Sequence, residues 1–318
     1  MRPRSPAGAN SRATDYDGPM SGELSAPQIG RRVAFFGGSF DPPHLGHLAI
    51  ARAARDAFHL DRVLFAPVGA QPLKPEGSSA SFEDRLAMTR LAIENEPGFE
   101  LSLADAPKSS PARSPQQPPD YSPNYTIDTL EGLRAEFGPA CALYCLMGAD
   151  AFFGLRRWHR AAEIPYAAAL IVASRPPGSR SQQPLDGPGQ PLDELTSALP
   201  PGLALEPAPD PERNESDRNQ SGANESGIAV RAFVIVNPAG KRAPFYVLPG
   251  LDVEISASHI RDQIRDQLRE STREAIRKPA PPVSSIEASR VAQPGSAAVK
   301  SMLPVAVADY IRANGLYR

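Results

Sequence analysis

Short apolar and β-branched runs recur along the chain at 33–36 (VAFF), 62–66 (RVLFA), 99–103 (FELSL), 142–147 (ALYCLM) and 167–173 (AAALIVA). A further run follows at either 232–236 (AFVIV) or 245–248 (FYVL). Runs of this length read as buried strands. Helix-period patterns separate them at 46–58, 81–95, 127–137 and 149–164. Within 82–94, Phe82, Leu86, Met88 and Leu91 to Ile93 fall near one stripe at helical spacing. Strand alternating with helix predicts an α/β fold, a doubly wound parallel sheet with helices on both faces. Ligands bind such sheets beyond the carboxyl ends of the strands, where strand order switches. The loop after the first strand is a favoured place, and it reads GGSFDPPHLGH at 37–47.

Four stretches break the pattern: 1–29, 107–119 (PKSSPARSPQQPP), 176–227 and 278–300. They are polar or rich in Pro, Ser, Gly and Asn, with too little apolar surface to offset the chain entropy lost on ordering. The expectation is a disordered N-terminal extension over 1–29 and one domain over 30–318. That domain carries long disordered insertions at 107–119, 176–227 and 278–300, with 176–227 looping out from one sheet edge. Proline accounts for 36 of the 318 residues, more than twice the usual ~5%.

With 34 basic and 36 acidic residues the net charge is −2, so no global positive field points to nucleic acid or an anionic membrane. A small anionic substrate needs only a local cluster. There is no apolar run of membrane-spanning length and no secretory h-region near the start. Cys141 and Cys145 read as small buried side chains of a cytoplasmic protein.

The first loop fits neither a dinucleotide fingerprint nor a Walker loop. Gly37 and Gly38 permit close approaches that a side chain would forbid. Pro42 and Pro43 preset the backbone ahead of a helix. His44 and His47 then share one face of its first turn, where free N–H groups suit phosphate. Two surface histidines or half a zinc site are the alternatives, but His59, His159 and His259 have no ligand-like spacing to the pair, and no metal site is expected.

GGSFDPPHLGH resembles the signature of the HIGH-type nucleotidyltransferase superfamily. LKP at 73–75, YTIDTL at 125–130, GAD at 148–150, Trp158 with Ile164, ISASHIR at 255–261 and LPVAVADYIRANGLY at 303–317 follow in order. Together they resemble the bacterial nicotinate-nucleotide adenylyltransferases over roughly 30–106, 120–177, 228–268 and 301–318. The resemblance implies a Rossmann-like domain that transfers adenylyl from ATP to nicotinate mononucleotide, with Mg²⁺ accompanying the ATP and no covalent intermediate.

It also implies roles. His44, His47 and Arg261 would be catalytic. Gly37, Gly38, Ser39, Phe40, His47, Gly148, Asp150, Ser256, Ser258 and Arg261 would bind ATP. Lys74, Tyr125, Thr126, Trp158 and Arg175 would bind the mononucleotide. Taken singly, ISASHIR is also a helix capped by Ser256, Asp150 a helix N-cap, Trp158 a core residue, and Lys74 and Arg175 surface cations. Two departures from the family stand out: Leu73 occupies a usually polar position in the loop after the second strand, and 107–119 interrupts the approach to YTIDTL. The runner-up substrates are nicotinamide mononucleotide and phosphopantetheine. A different class, a nucleotide-binding regulator without catalysis, would lack the histidine or ISxSxIR residues, and neither set is missing. The oligomeric state is left open.

Overall fold

The computed structural model describes residues 30–73, 77–109, 121–174, 192–208, 230–249, 255–277 and 302–318. The proposed extension 1–29, the insertion 278–300 and the candidate residues Lys74 and Arg175 lie outside them.

The main sheet is built from β1 (Arg32–Gly38), β2 (Arg62–Pro67), β3 (Phe99–Leu101), β6 (Ala142–Gly148), β7 (Ala169–Ala173), β8 (Ala204–Pro207), β9 (Arg231–Val236) and β10 (Arg242–Leu248). Two short strands, β4 (Lys108–Ser109) and β5 (Tyr121–Ser122), pair antiparallel beside it. Sheet order is β3-β2-β1-β6-β7-β10-β9-β8. The first six strands are parallel, and β9 and β8 complete the sheet antiparallel. Both candidate last strands, 232–236 and 245–248, are therefore real and form one hairpin.

Alternation along β1 feeds two cores. Val33 and Phe35 join Ile127, Leu130 and Leu133 of α3 (Thr126–Phe137) and Phe152 of α4 (Ala149–Phe153). Ala34 and Phe36 face the other way, toward Leu48 and Ala51 of α1 (Leu45–Phe58) and Met88 of α2 (Phe82–Ile93). Ile260 of α7 (Ala257–Arg277) and Val307 of α8 (Val305–Asn314) complete that face. Helices thus cover both faces, as the alternating pattern implies.

Three expectations change. The helix expected over 149–164 breaks into α4, two single 3₁₀ turns and α5 (Ile164–Ala167). Gly154 ends α4, Arg160 adopts a left-handed φ of +49°, and Pro165 opens α5 at a position that tolerates its missing N–H.

Next, 176–227 is not one disordered insertion. Residues 192–208 contain α6 (Leu192–Ala198) and edge strand β8, and Leu195, Leu199 and Leu205 are buried in the core. The apolar spacing of LDELTSALPPGLAL is enough to fold once β9 offers a free edge. The remainder of 176–227, namely 176–191 and 209–227, falls outside the described residues.

Finally, 107–119 is structured at its start. Lys108 and Ser109 pair with Ser122 and Tyr121, while 110–119 are not described. Among the described residues no helix is long and apolar enough to cross a membrane.

Candidate active site

The strand order reverses between β1 and β6, so the crevice lies beyond their carboxyl ends. The loop leaving β1 is heavily constrained. Gly37 is required by space: a Cβ there would sit 2.7 Å from the Phe35 ring. Its backbone is ordinary strand, so what the glycine supplies is room. Phe40 has a left-handed φ of +46°, which costs a non-glycine residue ~1–3 kcal/mol. Packing holds it there: the ring is buried against Phe36, Phe65 and His47, with centroids 5.6, 5.6 and 5.0 Å away.

Asp41 is buried at 4% exposure. Its carboxylate accepts from the Ser79 N–H (2.7 Å), the Ala80 N–H (3.1 Å) and the Tyr317 hydroxyl (2.8 Å). Arg85, on α2, donates to the Ser39 carbonyl at 2.7 Å and to the Val68 carbonyl at 2.8 Å. It therefore ties the loop after β1 to the loop after β2. Burial lowers the Arg85 pKa from its ordinary value, against the pull of Asp41.

His44 is the N-cap of α1 and is buried. Its ring stacks on His47, centroid to centroid 3.7 Å at 24°. The His44 backbone N–H donates to His47 Nδ1 at 3.2 Å. Nδ1 of His47 is thus an acceptor, and the neutral ring carries its proton on Nε2. His44 Nδ1 is buried without a partner among the protein atoms. Gly46 is spatial again, since a Cβ would lie 3.0 Å from His44 Nδ1. Burial pushes the His44 pKa down to about 4. His47 is held well below its usual value by burial and then by the charge of His44. Both rings are neutral N–H donors near pH 7. A polyphosphate brought beside them would favour their protonated forms, because opposite charge stabilises a cation.

From the other half of the sheet, Arg261 of α7 reaches this loop. It donates to the Asp41 carbonyl at 2.6 Å and to Ser258 Oγ at 3.3 Å, and its guanidinium lies 3.9 Å from the Asp41 carboxylate. Ser256 caps α7, accepting the His259 N–H at 3.2 Å, so the capped-helix reading of ISASHIR holds for Ser256, whatever else it binds. Gly148 is the N-cap of α4, with nothing within 4 Å of where a Cβ would project. Asp150 is exposed on the first turn of that helix.

A second cluster gathers the loops after β2 and β3 around the start of α3. Buried Asn124 accepts the Ala70 N–H through Oδ1 at 3.0 Å and donates through Nδ2 to the Ala106 carbonyl at 2.9 Å. Thr129 donates to Asp105 at 2.7 Å, and burial raises the Asp105 pKa. Tyr125 is the N-cap of α3 and Thr126 its first residue. The Tyr125 ring lies 4.2 Å from that of His159. Trp158, next to His159, is half-buried against the α3-side core, so the core reading of this tryptophan holds for part of its surface.

The cytidylyltransferase-like family model matches residues 35–263, a span that contains both clusters apart from Tyr317. A probable nicotinate-nucleotide adenylyltransferase of Gloeobacter violaceus is 39% identical over 182 residues, covering 57% of this chain and 78% of that protein. The chain belongs to the nicotinate-nucleotide adenylyltransferase family.

A second family member, a probable nicotinate-nucleotide adenylyltransferase of Solibacter usitatus, is 42% identical over 145 residues, covering 46% of this chain and 70% of its own. The fold is also similar to that of a Plasmodium falciparum nicotinic acid mononucleotide adenylyltransferase complexed with NaAD. There the TM-score is 0.50 at 14% identity, over 90% of this chain and 97% of that one.

Within the family frame, Asp41, Arg85, Asn124, His159 and Tyr317 escaped the sequence reading. Asp41 stands inside the first motif and Asn124 directly before YTIDTL, so each was adjacent to a signal. Arg85 had a subtler one. Of the expected α2 stripe Met88, Ala92 and Ile93 are buried, but Phe82, Leu86 and Leu91 are only partly so, and Arg85 and Thr89 are buried beside them; a cation on a buried face demands partners. Tyr317 gave no local signal of a link to Asp41.

Proposed function

We infer that the protein transfers the adenylyl group of ATP to nicotinate mononucleotide, giving deamido-NAD and pyrophosphate in NAD biosynthesis. The observation that carries this reading is the 39–42% identity to nicotinate-nucleotide adenylyltransferases. A mononucleotide phosphate oxygen attacks the α-phosphorus of ATP in line; the bond to the oxygen bridging to the β-phosphorus breaks, and pyrophosphate leaves with that electron pair. No covalent enzyme intermediate is needed, so positioning and charge stabilisation supply most of the rate.

In this reading the loop after β1 is the phosphate cradle. Gly37, Gly38, Ser39 and Phe40 shape it, and the imidazole N–H groups of His44 and His47 donate to phosphate oxygens as charge builds on the leaving group. Arg261 and the Ser256–Ser258 start of α7 face the β- and γ-phosphates, combining a cation with free helix N–H groups. Gly148 and Asp150 border the ribose. Tyr125, Thr126 and Trp158 take the pyridine ring, its carboxylate resting on backbone N–H groups at the start of α3, and Lys74 and Arg175 serve the mononucleotide phosphate.

Mg²⁺ belongs to this scheme as the ion that travels with ATP. It usually keeps waters and substrate phosphates as ligands. The Asp41 carboxylate of the loop is already engaged by Ser79, Ala80 and Tyr317, so in this reading the ion's ligands come from ATP phosphates and water. When bound, the ion would neutralise phosphate charge.

The test is pyrophosphate release with ATP and, in turn, nicotinate mononucleotide, nicotinamide mononucleotide and phosphopantetheine. Release with the first alone or by far the fastest is expected; release with none would return the protein to a binding role.

A further inference from the structure

We infer that Tyr317 is a positioning residue for adenylyl transfer, its hydroxyl fixing Asp41 so that Asp41 in turn seats Arg261. This rests on the reading of the site as an adenylyltransferase.

Three donors hold the Asp41 carboxylate, and two of them are backbone amides of the neighbouring 79–80 turn. The third, the Tyr317 hydroxyl, is the only side chain among these three and comes from 276 residues away. The backbone carbonyl of the same Asp41 accepts the shortest contact that Arg261 makes, at 2.6 Å. Anchoring the side chain of Asp41 therefore anchors the group on which the cation is docked. The tyrosine sits in the left-handed region at φ +65°, where a bulky residue is strained and persists only if its surroundings over-determine it. It is nonetheless buried. Burial and the adjacent Asp41 charge raise its pKa far above the ordinary phenol value, so it stays a donor.

A merely structural role, docking the C-terminal helix, is separable because the molecule contains an internal control. Tyr310 lies within α8, whereas Tyr317 follows just beyond its end, and Tyr310 donates to Asp84 of α2 at 3.0 Å. That bond also fastens α8 to the body, but the hydroxyl bonds a different carboxylate and makes no bond to Asp41. If fastening α8 were all that mattered, the two hydroxyls would be interchangeable.

The experiment compares Tyr317→Phe with Tyr310→Phe, each alone and combined with Arg261→Ala. It measures pyrophosphate release from ATP and nicotinate mononucleotide, well below each melting temperature. Tyr317→Phe should lower kcat/KM for ATP about tenfold while leaving KM for the mononucleotide unchanged, and Tyr310→Phe should stay within about twofold of the parent. In the Arg261→Ala background the Tyr317→Phe effect should shrink to under about twofold, because residues acting as one unit are not additive. Hydrogen exchange of the Ser79 and Ala80 amides, which needs no turnover, should quicken in Tyr317→Phe and not in Tyr310→Phe. Equal losses in the two variants, full additivity with Arg261→Ala, or unchanged exchange at Ser79 and Ala80 would overturn the inference. An inactive parent enzyme would instead sink the adenylyltransferase reading, leaving the exchange result to judge Tyr317 alone.

Discussion

Two stacked imidazoles at one helix start would repel each other if both were charged, and burial adds to that penalty. His44 and His47 are accordingly neutral donors at physiological pH, poised to respond to an anion. Replacing either with Ala should reduce kcat by about 10²–10³, the scale for one donor aimed at charge developing in the transition state, while circular dichroism stays native. A pH consequence follows from the same burial. His44 has its folded-state pKa at about 4 against an ordinary 6.5, so the unfolded chain binds the proton first. Stability is complete above pH 6.5 and is lost as pH falls from 6.5 toward 4, by up to about 3 kcal/mol for this residue. Denaturant titrations of the wild type and His44→Asn should therefore diverge across that window; parallel curves would mean His44 is not buried in its neutral form.

Elements differ in how openly the sequence announces them. The strands of the parallel sheet, α1 and α3 were legible because their apolar periods agree with their packing. Helix α2 was legible as a helix, and Met88, Ala92 and Ile93 of its expected stripe are buried, but the burial of Arg85 was not legible, since composition cannot reveal that Arg85 will find the Ser39 and Val68 carbonyls. Hydropathy hid α6 and β8 for another reason: they are flanked by polar, Pro-rich sequence, and their apolar residues gain a partner only when β9 is in place. An edge strand borrows its specification from its neighbour. The energetic check is Leu195, which is buried at 1% exposure. Leu195→Ala should cost ~2–5 kcal/mol in denaturant unfolding, whereas a loop residue would cost almost nothing. Excising 192–208 should for the same reason destabilise the protein.

For the molecule as a whole, topology does what no single motif can. A parallel sheet whose order reverses between β1 and β6 brings the ends of strands far apart in sequence to one edge, and there residues 37–47, Arg261 and Tyr317 meet. The first loop and the helix-capping serines were readable from local spacing, because phosphate sites reuse helix starts. The Asp41–Arg261 and Asp41–Tyr317 links were not, because each spans more than two hundred residues and depends on the finished fold. The central claim joins that edge to one pair of substrates. Its most direct test is the ratio of kcat/KM for nicotinate mononucleotide to that for nicotinamide mononucleotide, read as pyrophosphate release with ATP and Mg²⁺. Backbone N–H groups that donate to a carboxylate would face an amide's NH₂ donor to donor, a mismatch of about 1–3 kcal/mol. The account predicts a preference of tenfold or more for the acid; equal turnover of the two, or faster turnover of the amide, would contradict it.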